Sequence, residues 1–340
     1  MRKRLRELGI VIGELPTGEQ NSITDVPEVK VGHVTLSKEE ACVQTGVTAI
    51  MPHGENPFYA KVPAAGFVAN GFGKTAGLVQ IEELGEIESP ILLTNTFSVG
   101  SVLQGAMDYM LKITPEIGDT TGSINVIVGE CNDSFLHDPR SQAVEPLHAA
   151  KAIEEGSTTC EEGAVGAGTG MTCFQYKGGI GTSSRIIHDR WTLGVLINSN
   201  YGLRKELEVP SYQESSMEER DLPAGSIMVI IATDAPVSDR QLKRLAKRAT
   251  VGIVRTGGRI HHASGDIVIA FSNTNLRYHF QEEMLQSHSY VGDDTEAFQL
   301  LLQAVSEATE EAIMNSLTMA SSTTGRKGRY VEGIPYALLD

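Results

Sequence analysis

Apolar residues in this chain gather in short runs divided by turn chemistry, and most of the runs predict strands. The opening reads as three of them: Ile10-Val11-Ile12-Gly13, Leu15-Pro16-Thr17-Gly18 and Val29-Lys30-Val31-Gly32-His33-Val34. Thr45 to Ile50 predicts another, ended by Pro52-His53-Gly54. A helix follows around 75–84, then a strand at 91–94 and a helix over 98–111. "GSINVIVGECND" reads as a strand running into a polar loop. The next helix carries Pro146 in its first turn and Gly156 just past its end, with Leu147, Ala150 and Ile153 as its inward face.

The glycine-dense stretch "EGAVGAGTGMTCFQYKGGIGTSSR" has no clear period and precedes a strand over 192–202, "TLGVLINSNYG". Its end, "KGGIGTSSR" (177–185), reads equally well as cleft lining or as a place where two sheets touch. An acidic excursion over 206–225 leads to a strand at 226–233. Behind Ser238, Leu242, Leu245, Ala246 and Ala249 keep helical spacing, so the basic residues from Arg240 to Arg248 form the wet face of an amphipathic helix. Ile267 to Phe271 reads as a buried strand. The final helix carries the stripe Phe298, Leu301, Leu302, Val305, Ala312, Ile313 and Leu317. No composition break or repeat divides the chain, so residues 1–340 read as a single domain. Strands and helices mix without a steady βαβ alternation, which favours a layered α+β arrangement.

Composition narrows the function. The 340 residues carry 43 acidic and 28 basic side chains, a net charge of −15. That field argues against nucleic acid and anionic membranes as partners. Four cysteines without CxxC spacing read as reduced thiols. The basic N-terminus makes a poor signal peptide and no window approaches a membrane span, so the expected location is the cytoplasm. Glycine is abundant, 35 residues in short clusters, yet each nucleotide-binding reading of those clusters fails. "GFGKT" lacks the first glycine of a phosphate loop, because Val68 stands there. "GAGTGM" has Met171 where the dinucleotide fingerprint needs glycine. No HExxH exists, and His261-His262 point to opposite faces of an extended chain, so no metal and no cofactor are expected.

One joint remains, Ala263-Ser264-Gly265-Asp266, at the lip of a buried strand. Ser264 can be read as a turn residue or as a nucleophile that becomes a chain terminus. A serine hydroxyl needs a base within reach. Release of its own α-amino group would supply one, with an ordinary pKa of about 7.7–8.0. The small neighbours Ala263 and Gly265 leave room for the geometry such a step requires.

The segments "LGIVIGELPTGEQNSITDVPEVKVGHVTL", "VGECNDSFLHD", "GAGTGMTCFQYKGGIGTSSR", "LGVLINSNYG" and "SGDIVIAFSNTN", with others between them, run through nearly the whole chain. In them the sequence resembles the P1 family of N-terminal-nucleophile serine peptidases, the L-aminopeptidase/D-esterases and β-aminopeptidases. The resemblance implies a four-layer αββα sandwich, a fold type shared with the ornithine acetyltransferases. It implies autoproteolysis between Ala263 and Ser264, giving a large subunit 1–263 and a small subunit 264–340. Ser264 then becomes the catalytic nucleophile, and the products assemble as a homo-oligomer of processed subunit pairs. Asn200 is the implied oxyanion donor, with Asn198 its nearest competitor. Glu130, Asn132 and Asp133 become substrate-binding candidates, because a carboxylate recognises an ammonium directly. The family's aromatic hydroxyl in that neighbourhood has no match, since the ring here is Phe135. Glu310 is nominated for the carboxylate that assists the nucleophile.

The expected function is a self-processing serine aminopeptidase. It would act on N-terminal residues of short peptides, amino-acid amides or esters through an acyl-enzyme on Ser264. Two rivals share these residues. One is an acyltransferase that intercepts the same acyl-enzyme with an amine, and the other is an uncleaved, non-catalytic binding scaffold.

Overall fold

A computed structural model describes residues 2–38, 40, 42–209, 225–281 and 283–339. Most of the acidic excursion expected over 206–225 lies outside these residues. In chain order the strands β1 (Lys30–Lys38), β2 (Val43–Met51) and β3 (Ala60–Gly71) come first. Helix α1 (Leu78–Leu84), the short β4 (Glu86–Ile87), β5 (Ile91–Asn95), α2 (Val99–Ile113), β6 (Ile127–Cys131) and α3 (Pro146–Glu154) follow. A small ladder of β7 (Thr172–Cys173) and β8 (Tyr176–Lys177) leads into β9 (Gly179–Ile187), β10 (Trp191–Asn200) and β11 (Ser226–Thr233). The rest comprises α4 (Asp239–Arg255), β12 (Gly265–Ser272), β13 (Arg277–Tyr278), α5 (Glu296–Met319) and the short pair β14 (Thr323–Thr324) and β15 (Tyr330–Val331).

Two sheets stack face to face. One has the order β1-β2-β5-β6, and the other runs β13-β3-β12-β11-β10-β9 with β4 beside β3. Alternation along the strands divides the apolar side chains between two interfaces. On β11, Met228, Ile230 and Ala232 meet Ile50, Ile91 and Ile127 of the other sheet, whereas Ile227, Val229 and Ile231 meet α4 and α5. On the far side, α2 and α3 cover the smaller sheet through Val102, Ala106, Ala149 and Ala152 against Val47, Ala49 and Leu92. The layers therefore run helix, sheet, sheet, helix, the αββα sandwich expected of the chain.

Three local expectations are corrected. Ile10-Gly13 and Leu15-Gly18 are not strands; this segment lies along the end of the second sheet and satisfies buried side chains. Helix α3 buries Ala149, Ala152 and Ile153 and leaves Leu147 exposed, a face shifted from the one expected. The run "GIGTSSR" lies in strand β9, and its Gly181 and Ser183 serve a helix rather than a second sheet. A Cβ on Gly181 would collide with the Ala312 carbonyl of α5, and the Ser183 hydroxyl donates to the Ala308 carbonyl at 2.7 Å. Strand β3 has no counterpart in the sequence reading because Pro63, Gly66 and four alanines hide its pattern.

Arg185 of β9 is fully buried and holds α5 to the sheet. Its guanidinium meets Glu307 at 3.0 Å and Glu311 at 2.7 Å. Arg6 and Asn21 also donate to Glu311, and the Glu14 and Leu15 amides donate to Glu307. Burial raises both carboxyl pKa values, but these donors outweigh it and hold both below the ordinary range. Removing one member strands the others in a dry interior. Arg185→Met should therefore cost about 3–5 kcal/mol in urea unfolding. Removing the exposed Lys151–Glu155 pair, 3.5 Å apart, should cost less than about 1 kcal/mol. Because the two carboxyls are depressed, the stability they add is present above the unfolded value of about 4.3 and is lost as pH falls through their folded values. The Arg185→Met chain should show a smaller acid-sensitive component, because Arg6, Asn21 and the Glu14 and Leu15 amides still hold the two carboxylates.

Candidate active site

The ends of several strands converge at one edge of the sandwich. Strand β12 starts there, between parallel β11 and antiparallel β3, with Gly265 opposite Ser226 and Gly71. Strand β10 finishes there, with Asn200 opposite Ser226. A cleft of about 420 Å³ opens at this edge, a size suited to a small ligand. Asn132, Phe135, Thr172, Asn200 and Tyr201 line it on one side, and His261, His262 and Ala263 on the other.

Ser264 lies directly behind Ala263 and is 3% exposed. With the Ala263–Ser264 bond intact, the chain turns tightly before it. The Ser264 N–H donates to the His261 carbonyl at 2.9 Å. Its carbonyl accepts from the Phe72 N–H at 3.2 Å and from the Asn70 amide. The hydroxyl donates to Asp266 Oδ1 at 2.8 Å. Gly265 is required by space: an added Cβ would lie 2.6 Å from the Phe72 carbonyl oxygen.

Asn200 borders the cleft with its amide fixed at both ends. Oδ1 accepts from the Thr172 N–H at 2.9 Å, and Nδ2 donates to the Asn132 carbonyl at 2.8 Å. An amide nitrogen carries two hydrogens, so one remains beyond the Asn132 bond. Asn198 faces the space between the sheets and is fully buried, with Nδ2 at 3.5 Å from the Ala167 carbonyl. Of the two asparagines, Asn200 is the one at the cleft.

The acidic candidates separate. Glu130 lies at the end of β6, where its carboxylate accepts from the Lys74 N–H at 2.9 Å and from the Thr96 hydroxyl. A Cβ on Gly73 would sit 3.3 Å from Ile267 Cδ1, 3.4 Å from Glu130 Oε1 and 3.8 Å from the Gly265 Cα, so Gly73 lies between the carboxylate and the start of β12. Asn132 lines the cleft and spends its side-chain oxygen on the Ser134 N–H. Asp133 points away from it and is buried; burial pushes its pKa up to about 8, against a hydrogen bond from Thr45. Nearby Lys177, fully buried, donates to the carbonyls of Gly168, Met171 and Gly178. Glu310 sits outside the site, 3.4 Å from Arg255 at the α4–α5 contact. In the sequence Asp266 carried no role beyond its place in the joint, and Thr172 none at all. The two-residue spacing of Ser264 and Asp266 was the available signal, since i and i+2 share a face in extended chain.

Peptidase family S58 matches residues 21–331. The chain belongs to peptidase family S58. Among curated relatives of this S58 peptidase, the β-peptidyl aminopeptidase BapA of Sphingosinicella microcystinivorans is 35% identical, with 99% of this chain and 90% of the relative covered. BapA of Sphingosinicella xenopeptidilytica is also 35% identical, over 98% of this chain and 89% of the relative. A Burkholderia sp. β-aminopeptidase structure superposes with a TM-score of 0.90 at 38% identity, covering 99% of this chain and 97% of that one. The L-aminopeptidase D-Ala-esterase/amidase of Ochrobactrum anthropi, a serine aminopeptidase with a variant of the Ntn hydrolase fold, gives a TM-score of 0.90 at 32% identity, with 99% of each chain covered. This S58 peptidase accordingly has the Ntn hydrolase fold and is a serine aminopeptidase.

The Asp133 geometry yields a pH test. Its folded pKa is raised, so the stability it contributes is complete below the unfolded value of about 3.9 and is lost as pH rises toward about 8. Asp133→Asn keeps the shape of the neutral acid and cannot titrate. Urea unfolding of both chains between about pH 4 and pH 8 should show the variant without this part of the wild-type decline. Parallel pH curves would refute the assignment.

Proposed function

We propose that this S58 peptidase activates itself by cutting between Ala263 and Ser264. It then releases N-terminal residues from short peptides, amino-acid amides or esters through an acyl-enzyme on Ser264. The observation that carries this reading is the place of Ser264: it opens a central strand, beside a cleft whose facing strand ends in Asn200. Scission frees the α-amine of Ser264 on the same residue as its hydroxyl, an arrangement in which the amine takes the Oγ proton as the oxygen attacks. Asn200 supports the developing oxyanion through its remaining N–H. Glu130, across Gly73 from the start of β12, is the carboxylate for the substrate ammonium, with Asn132 beside it.

The substrate range follows the β-peptidyl and L-amino-acid activities named for its relatives. No metal or cofactor enters this chemistry. The two fragments stay paired, and the pairs form a homo-oligomer in the cytoplasm, with no role for nucleic acid or membrane. Among the described residues no helix is long and apolar enough to cross a membrane. Asp133 packs against Gly170 and Glu310 pairs with Arg255 at the α4–α5 contact, so neither has a direct part.

Mass spectrometry of the purified protein should find two species, 1–263 and 264–340, the second beginning Ser-Gly-Asp. Ser264→Ala should give one species without hydrolytic activity. Asn200→Ala should lower kcat/KM for amino-acid amides by about 10²–10³-fold. A wild-type chain that stays whole and still hydrolyses these amides overturns the reading.

A further inference from the structure

The proposed activity leaves one chemical step without a base. Once Ser264 is a terminus, its amine can accept the hydroxyl proton. Before scission that nitrogen is an amide, already donating its hydrogen to the His261 carbonyl. An amide nitrogen has no useful basicity, so the first attack needs another acceptor.

The hydroxyl already points at one. Ser264 Oγ donates to Asp266 Oδ1 at 2.8 Å, and Asp266 is 2% exposed at the start of β12. Its Oδ2 is buried without a hydrogen-bond partner among the described residues. Strand pairing on both sides fixes the backbone beneath it, with Ile227 opposite on β11 and Asn70 on β3. A carboxylate held in this way is committed to the serine and not shared with a structural cation.

We propose that Asp266 is the catalytic base of self-cleavage, taking the Ser264 hydroxyl proton while the Ser264 nitrogen is still an amide. The inference rests on the self-cleavage reading above and extends it to a second proton acceptor. As Asp266 takes the proton, Ser264 Oγ bonds to the Ala263 carbonyl carbon and closes a five-membered ring. The bond from that carbon to the Ser264 nitrogen then breaks, and the proton held by Asp266 passes to the departing nitrogen. The product is an ester between Ala263 and Ser264 with a free α-amine. Water hydrolyses the ester, leaving the Ala263 carboxylate and restoring the hydroxyl.

The groups around Asp266 set its working range. Burial raises its pKa to about 6, opposed by the Ser264 hydrogen bond and the charge of His261. His261 comes from the turn before the joint and is itself paired with Glu206 at 3.0 Å. Tyr201 at the end of β10 and Cys131 at the end of β6 also feel the Asp266 charge; both stay neutral because burial raises their pKa values. Self-cleavage should thus gain rate as pH rises through about 6. Amide hydrolysis by the finished enzyme should instead follow an amine near about 8.

The test uses full-length precursor made by cell-free translation, held at low pH and then shifted to buffers spanning about pH 4.5 to 8.5. Fragment formation is followed by denaturing gel. Wild-type cleavage should climb and level off as Asp266 ionises. Asp266→Asn should slow it by about 10²-fold or more and abolish that climb. Ser264→Cys supplies the discriminating background, because a thiol with an ordinary pKa of about 8.5 ionises without help at the top of the range. There, adding Asp266→Asn should cost Ser264→Cys far less than it costs the serine chain.

Equal losses in the two backgrounds assign Asp266 a structural role and overturn the proposal. So does Asp266→Asn cleavage at the wild-type rate, or a wild-type rate flat between about pH 5 and 7.5, a readout that needs no variant to fold. A wild-type precursor that never cleaves sinks the self-cleavage reading and this inference together. Wild-type cleavage indifferent to Asp266 sinks the inference alone.

Discussion

The hydrogen bond from Ser264 to Asp266 has meaning because of where the chain is pinned. Strand β12 has neighbours on both sides, so its first residues cannot shift without breaking two ladders. The preceding turn is tied down by the Asn70 amide, which donates to the carbonyls of His261, His262 and Ser264. A rigid strand and a clamped turn meet at one peptide bond. Small residues are needed at this junction, since the Phe72 carbonyl leaves no room for a side chain at Gly265. Asn200 and Glu130 approach from other strand ends, and their positions hold only while both sheets remain stacked. The geometry of the joint is a property of the sandwich edge, with no single loop responsible for it.

Much of this was legible in the sequence. Strands with continuous apolar runs, such as β10, β11 and β12, announce themselves because both of their faces are buried. Strands β3 and β9 do not, because a second demand shaped them. In β9 the close approach of α5 selects glycine and serine over β-branched residues, so the strand reads as a loop. The opposite error occurred at Ile10-Val11-Ile12, an apolar run whose backbone caps buried side chains from elsewhere: the Ile12 carbonyl receives Arg185.

The site divides in the same way. The positions of Ser264 and Asn200 at the sandwich edge were legible because each stands at the end of a recognisable strand. Asp133 was overvalued because its neighbours in sequence reach the cleft while its own side chain turns into the protein beneath the glycine-rich segment. A loop carries no period from which that reversal could be read. Glu310 misled for a different reason. The acidic run on α5 has a buried side, where Glu307 and Glu311 meet Arg185, and Glu310 lies toward the neighbouring helix. Three carboxylates in five residues serve two structural contacts, and none of them touches the cleft.

The central position of β12 has a consequence for the life history of the molecule. If the chain is severed just before this strand, the shorter piece keeps an interior place in a sheet whose other members belong to the longer piece. Neither piece can slide free without exposing raw edges along both neighbours, so separation requires melting the sandwich. Assembly must therefore precede the cut. Once cut and denatured, two independent polymers would have to thread a middle strand back between partners that pair poorly without it. Durability of the mature form then becomes a matter of rates, and heat damage to it is a one-way event.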